Sequence, residues 1–269
     1  MMSKTIFITG ASKGFGRIWA TAALERGDNV IATARRVEDL NDLKQQFGSS
    51  VLAIQLDVRN KAAGAGALRK SLEHFGSLDV VINNAGYGLF GAIEENSEEE
   101  VRAQMETNFF GALWITQAAI PIMRKQRHGH IIQVSSIGGV IALPVLGIYH
   151  ASKWAMEGFS ESLSKEVAEF GIKITLVEPG GYATDWGGSS SFKSKPVEGY
   201  EQTKEFVFTL LQNSAADPQA TGQAILKVID AENPPLRIFL GDMLPLIKPQ
   251  YLERLQTWEN WSAVSVSAQ

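Results

Sequence analysis

Short apolar runs of strand type alternate along this chain with longer segments whose apolar residues recur every three or four positions. The strand-like runs fall at residues 5–9, 30–33, 51–56, 78–82, 130–136, 174–177 and 237–241. Helical patterns lead up to the closing Gly27, then cover 61–75, 99–123, 149–170 and 221–231, and resume from Pro249 into the tail. Strand and helix alternating this often predict parallel strands joined by helical crossovers, with helices on both faces of the sheet. The expectation is a single doubly wound α/β domain with a seven-stranded parallel sheet, spanning residues 1–269. Within it, 4–184 form the core, 185–215 a cover over the open end, and 242–269 a C-terminal extension.

The first run ends in Gly10-Ala11-Ser12-Lys13-Gly14-Phe15-Gly16, and a helical stripe of Ile18, Trp19, Ala22, Ala23 and Leu24 follows. Glycines at such a turn let the backbone approach a phosphate. The helix start adds free N–H groups and a positive dipole end. Gly10, Ser12, Lys13, Gly14, Phe15 and Gly16 are therefore candidate dinucleotide contacts, although the spacing is G-x-x-x-G-x-G rather than G-x-G-x-x-G. The second run ends Thr33-Ala34-Arg35-Arg36, with no acid to take a ribose 2′-hydroxyl. Arg35 suits a 2′-phosphate there, with Lys13 to help, so NADP(H) is expected over NAD(H). The third run ends in Asp57-Val58. That carboxylate either bonds an adenine amino group or caps the next helix. The fourth ends in Asn83-Asn84-Ala85-Gly86, small residues suited to backbone packed against a cofactor.

Tyr149 and Lys153 are four apart, which puts both on one face of a helix. An ammonium beside a phenol favours the phenolate and draws its pKa from about 10 toward the range of a general acid/base. Ser136 lies thirteen residues before Tyr149. Taken in order, Thr9-Gly10-x-x-x-Gly14-x-Gly16, Asn83-Asn84-Ala85-Gly86, Ser136 and Tyr149-x-x-x-Lys153 resemble the classical short-chain dehydrogenase/reductase (SDR) family over residues 4 to 240. The resemblance implies a Rossmann domain that moves a hydride between nicotinamide and a carbonyl or secondary alcohol. It implies four catalytic residues. Tyr149 exchanges the proton. Ser136 polarises the carbonyl. Lys153 lowers the tyrosine pKa and holds the nicotinamide ribose. Asn108, in Thr107-Asn108-Phe109-Phe110-Gly111, distorts its helix and completes a proton relay through a water. Asn84, Ala85, Gly86, Asn108, Tyr149 and Lys153 are implied cofactor contacts. Pro179-Gly180, with Thr184 four residues on, matches the family pattern for the nicotinamide amide and pyrophosphate. Association as a homodimer or homotetramer is a further implication.

Composition narrows the rest. The chain has 45% hydrophobic and 20% charged residues, ordinary for a globular protein. A net charge of -4 gives no reason to expect nucleic acid as a partner. No cysteine is present, which excludes disulfides, thiolate metal sites and a cysteine nucleophile. His128-x-His130 lacks further ligands and reads as a surface turn, so no metal site is expected. The run at 5–9 is too short for a signal peptide or membrane span, so a cytoplasmic protein is expected. The Gly/Ser-rich stretch 185–195 reads as a mobile substrate lid. Leu89, Phe90, Ile141, Leu143, Phe192, Tyr200, Phe206 and Phe208 could line an apolar or amphipathic substrate site. Rival readings are a non-catalytic dinucleotide sensor on the same fold, an NAD-dependent alcohol dehydrogenase, and an epimerase or dehydratase that recycles its cofactor.

Overall fold

The computed structural model describes residues 3–213 and 216–269. The elements run β1 (Thr5–Ile8), α1 (Gly14–Arg26), β2 (Asn29–Ala34), α2 (Asn41–Phe47), β3 (Val51–Gln55), α3 (Lys61–Phe75), β4 (Val80–Asn83), β5 (Leu89–Phe90), α4 (Glu98–Met105) and α5 (Gly111–Gln126). They continue with β6 (Gly129–Val134), α6 (Gly147–Val167), β7 (Ile172–Pro179), β8 (Phe192–Lys193), α7 (Glu201–Asn213), α8 (Thr221–Asp230), β9 (Arg237–Leu240), α9 (Leu244–Asn260) and α10 (Ser262–Val266). Seven strands form one parallel sheet in the order β3-β2-β1-β4-β6-β7-β9. All seven expected strands are present.

The strands read as continuous apolar runs because both faces of the sheet are covered. On one face Trp19, Ala20 and Leu24 of α1 and Ile225 and Ile229 of α8 pack on Ile6, Ile8 and Val30. On the other, Leu68 of α3, Ile115 and Ala119 of α5 and Leu163 of α6 pack on Phe7, Ile31 and Val81. The chain leaves β1 and β4 toward opposite faces. A crevice therefore opens beyond their C-terminal ends, where this kind of fold binds ligands. Gly27, at φ 96, closes α1 in the left-handed conformation as expected.

The segment expected as one helix over 99–123 is two helices joined by a π-helical turn, Glu106–Phe110. An extra residue per turn rotates Asn108 inward, where its amide finds polar partners. Its Nδ2 donates to Tyr87 O at 3.0 Å and Ser152 Oγ at 3.2 Å, and its Oδ1 accepts from Tyr87 N at 3.1 Å. Gly111 closes the turn. A Cβ there would lie 2.6 Å from Val58 Cγ2.

The expected cover at 185–215 is more ordered in pattern than its glycines and serines suggest. β8 pairs in parallel with β5, and α7 follows. Glu95, buried, ties α7 down: it accepts from Val197 N at 2.7 Å and pairs with Lys204. Positions 214 and 215 of that expected cover, and 1 and 2 of the domain, lie outside the described residues. The tail helix starts at Leu244 rather than Pro249, which sits inside it. His130 is not on a surface turn. It is buried on β6, with Nε2 2.9 Å from Thr175 Oγ1, while His128 is exposed. Among the described residues no group of three or more His, Asp or Glu side chains could hold a metal ion, and no helix is long and apolar enough to cross a membrane.

Candidate active site

The crevice is a cavity of about 810 Å³ running from the glycine turn after β1 to Phe208 of α7. Gly10, Ser12, Lys13, Gly14, Phe15, Arg35, Asp57, Val58, Asn84, Ala85, Gly86, Ser136, Tyr149, Lys153, Pro179, Gly180 and Thr184 all line it. Of the expected catalytic and cofactor-contacting residues, only Gly16 and Asn108 are not in the cavity lining. Gly16 has a packing role: a Cβ there would fall 2.4 Å from Gly10 O and 2.5 Å from Asn84 Nδ2.

The glycine turn fits a dinucleotide phosphate. Gly10 (φ 66) and Gly14 (φ 56) take the left-handed conformation that brings backbone to the surface of the turn. The N-cap of α1, Lys13, makes no side-chain cap bond, which leaves the helix-start N–H groups facing the cavity without a capping side chain. Asn84 holds this turn from below: its Nδ2 donates to Thr9 O at 2.9 Å and Gly10 O at 3.0 Å. Thr9 Oγ1 accepts in return from Asn84 N at 2.9 Å and Ala85 N at 3.0 Å. The side chain of Asn84 is thus a brace for the turn.

At the adenosine end Arg35 faces the cavity, while Arg36 is taken up by Asp39 at 2.7 Å. Two expectations need adjusting here. Lys13 Nζ is paired with Asp185 Oδ2 at 2.9 Å, across the cavity mouth. The Asp57 carboxylate is gripped by Arg59 Nε, 3.0 Å from both oxygens, and Arg59 holds its pKa down. The helix cap is a different residue, Asn60, whose Oδ1 accepts from Ala63 N at 3.0 Å.

At the reacting end α6 brings Tyr149 and Lys153 to the cavity floor, and Ser136 reaches in from the end of β6. Burial pushes the Tyr149 phenol up to about 12, with Ser136 opposing the shift, and pushes the Lys153 amine down to about 8, with Glu157 opposing it. The expected lowering of the tyrosine pKa by the ammonium is not seen here: burial raises the phenol, and Ser136 is the group that opposes it. The reason is geometric. Lys153 Nζ donates to Val134 O at 2.8 Å and stands 5.7 Å from the centre of the tyrosine ring.

The apolar end is lined by Phe90, Ile141, Leu143, Leu146, Trp186, Phe192 and Phe208. Leu89 is buried behind this wall, Phe206 is 62% exposed, and Tyr200 bonds Glu94 without lining the cavity. Two residues missed in the sequence matter here. The Trp186 ring lies 4.9 Å from the Tyr149 ring and 5.3 Å from that of Phe90, so it roofs the reacting end. The buried His150 joins two parts of the wall: Nδ1 is 2.9 Å from Gly138 O, and Nε2 accepts from Leu143 N at 2.9 Å. Its place beside Tyr149 was the available signal.

Comparisons with known proteins assign the chain to a family. The short chain dehydrogenase family profile matches residues 4–194. An oxidoreductase of Botryotinia fuckeliana is 44% identical over 89% of this chain and 89% of its own. A 3-ketodihydrosphingosine reductase of Bacteroides thetaiotaomicron is 38% identical over 92% of this chain and 91% of its own. A short-chain dehydrogenase of Streptomyces avermitilis superposes with a TM-score of 0.94 at 36% identity, over 100% of both chains. Solved structures of similar fold hold NAD or NADP. This chain belongs to the short-chain dehydrogenase family and is an oxidoreductase of that family.

Proposed function

We propose that the protein is an NADP(H)-preferring reductase of ketones or aldehydes that are apolar or amphipathic. The observation that carries the reading is the convergence of Ser136, Tyr149 and Lys153 at the end of a cavity whose other end is a glycine turn flanked by Arg35. Gly10, Gly14 and the start of α1 would hold the pyrophosphate. Arg35 would hold the 2′-phosphate, Lys153 the nicotinamide ribose, and Pro179, Gly180 and Thr184 the amide. When bound, the nicotinamide supplies the hydride.

The chain's own residues supply the rest. Ser136 donates to the substrate carbonyl and fixes its direction. Tyr149, a protonated phenol at neutral pH, gives its proton to the developing alkoxide. Lys153, an ammonium below about 8, stabilises the phenolate left behind. Asn108 holds the peptide of Tyr87 next to the lysine; a Cβ on Gly86 would lie 3.1 Å from Asn108 Oδ1 and 3.8 Å from Lys153 Nζ. Trp186 excludes water from the reacting end. The lining of Phe90, Leu143, Leu146 and Phe208 favours a hydrocarbon chain or ring beside the carbonyl. A relative that reduces 3-ketodihydrosphingosine, by its name, is consistent with such a substrate. The half-buried Phe109, Trp114 and Phe159, on α5, its preceding turn and α6, suit pairing of two copies into a dimer or tetramer. The absence of cysteine suits a cytoplasmic setting.

Titration of NADPH and NADH against tryptophan fluorescence, with Arg35→Ala beside the wild type, tests the cofactor. NADPH should bind at least about tenfold tighter, about 1.4 kcal/mol, and Arg35→Ala should erase the gap. NADH bound equally well or better by wild type would overturn the reading of Arg35 and direct the search to an alcohol oxidised with NAD. A panel of carbonyls with NADPH then tests the reaction. Interconversion of a substrate without net NADPH consumption would point to the epimerase or dehydratase reading.

A further inference from the structure

The stripe that carries Tyr149 and Lys153 does not end with them. Glu157 and Glu161 follow at the same spacing of four on α6. Glu157 is buried one helical turn beyond the lysine on α6, and the half-exposed Arg237, at the start of β9, reaches it from behind. Arg237 Nε lies 2.9 Å from Glu157 Oε2 and 3.7 Å from Glu178 Oε1, and Nη2 lies 2.9 Å from Glu161 Oε2. Glu178, on β7, is 1% exposed. Ser135, next to the candidate catalytic serine, closes the group. A Cβ on Gly139 would lie 2.6 Å from Ser135 Oγ and 3.1 Å from Glu157 Oε1, so glycine is needed where these two groups approach. Three carboxylates thus gather around one guanidinium behind the reacting end.

Charge balance says what the group can do. Burial, and the neighbouring Glu157, push Glu178 up to about 8, so it is largely neutral at physiological pH. Burial raises Glu157 as well, but Ser135, Arg237 and Lys153 all favour its ionised form. Glu161 is held ionised by Arg237 and Lys165. Lys248 of α9 borders the small cavity that Glu178 and Arg237 line. Burial lowers the Lys153 amine, and among the described residues Glu157 is the acid that opposes this loss of charge.

We propose that Glu157 is a positioning residue for the reaction: its carboxylate, anchored by Arg237, keeps Lys153 an ammonium at the floor of a largely apolar pocket. The role is to act through the lysine and not on the substrate. Removing a negative neighbour makes the ammonium easier to deprotonate. The lysine then loses its charge at a lower pH and stops supporting the tyrosine phenolate. The inference rests on the reading of Tyr149 and Lys153 as the acid/base pair.

The test is the pH profile of kcat/KM for NADPH-dependent carbonyl reduction in the full-length enzyme, for Glu157→Gln and Glu157→Asp. The descending limb on the alkaline side should move to lower pH by about one unit in Glu157→Gln, with Glu157→Asp between it and wild type. A drop in turnover equal at all pH values, with the limb unmoved or moved upward, overturns the proposal and makes the cluster structural. Should Glu157→Gln not fold, the limb in Glu157→Asp decides by the same criterion. Tyr149→Phe is measured alongside. If it keeps wild-type turnover, the acid/base reading itself has failed. If it is inactive and the Glu157→Gln limb is unmoved, only the present inference has failed.

Discussion

The hydroxyl of Tyr149 is the smallest change that separates chemistry from binding at this site. The ring is enclosed by Trp186 and stands near the Lys153 ammonium, so its packing survives loss of one oxygen. Tyr149→Phe should lower turnover by roughly 10²–10⁴-fold, the usual worth of a positioned proton donor, and leave NADPH affinity within about twofold. Stopped-flow turnover and a binding titration read the two separately. A non-catalytic dinucleotide sensor would show no such split. Residue identities at this scale were largely legible in the sequence. Every expected catalytic or cofactor contact except Gly16 and Asn108 lines one cavity, because motif residues sit at strand ends that the fold brings together, whereas of the expected apolar lining Leu89, Tyr200 and Phe206 do not reach it. The protonation states were not legible. They depend on how completely the residues are buried and where the lysine points, and both are set by distant packing.

At the scale of elements, an ion pair, Lys13–Asp185, joins the glycine turn to the segment before β8. Asp185 accepts from Lys13, from Ser189 N at 2.9 Å and from the hydroxyls of Ser189 and Ser190 at 2.8 and 2.6 Å. These bonds hold its pKa well below the usual carboxylate range. Both partners of the pair are substantially exposed, so it adds little to stability. Its consequence is competition: Lys13 cannot serve Asp185 and a cofactor phosphate equally at once. Asp185→Asn should therefore tighten NADPH binding by roughly threefold or more and make it more sensitive to salt. Weaker binding would mean that Asp185 shapes the phosphate turn instead of competing for it. The sequence could not disclose this contact, since the two residues are 172 apart. The same limit applies to the π-helical turn at Glu106–Phe110. A helical period continues through it, and the wider turn goes with the bonds from Asn108 to Tyr87 and Ser152, residues distant in sequence.

At the scale of the whole molecule, the buried His130 and Glu178 act on stability in opposite directions with pH. His130, between β6 and β7, is driven by burial down to about 3. Its unfolded form binds a proton near the ordinary value of about 6.5, so its contribution to stability is complete above that pH and is lost as pH falls toward 3. Between pH 7 and pH 4 the loss is about 3 kcal/mol. Glu178 is raised to about 8. Its contribution is complete below the ordinary carboxylate range and is lost as pH rises through the folded value, so acidification over the same window adds stability. The two slopes offset one another, so these two groups together contribute only a shallow dependence between pH 4 and 7. Single variants expose each slope. His130→Gln can keep the bond to Thr175 without the titration, and should become more stable relative to wild type by about 3 kcal/mol on going from pH 7 to pH 4. Glu178→Gln should move the opposite way. Urea unfolding followed by the fluorescence of the six tryptophans at each pH gives the differences directly. Curves for His130→Gln and wild type that stay parallel from pH 7 to pH 4 would mean that His130 does not titrate differently in the two states, and that the balance across this sheet has another source.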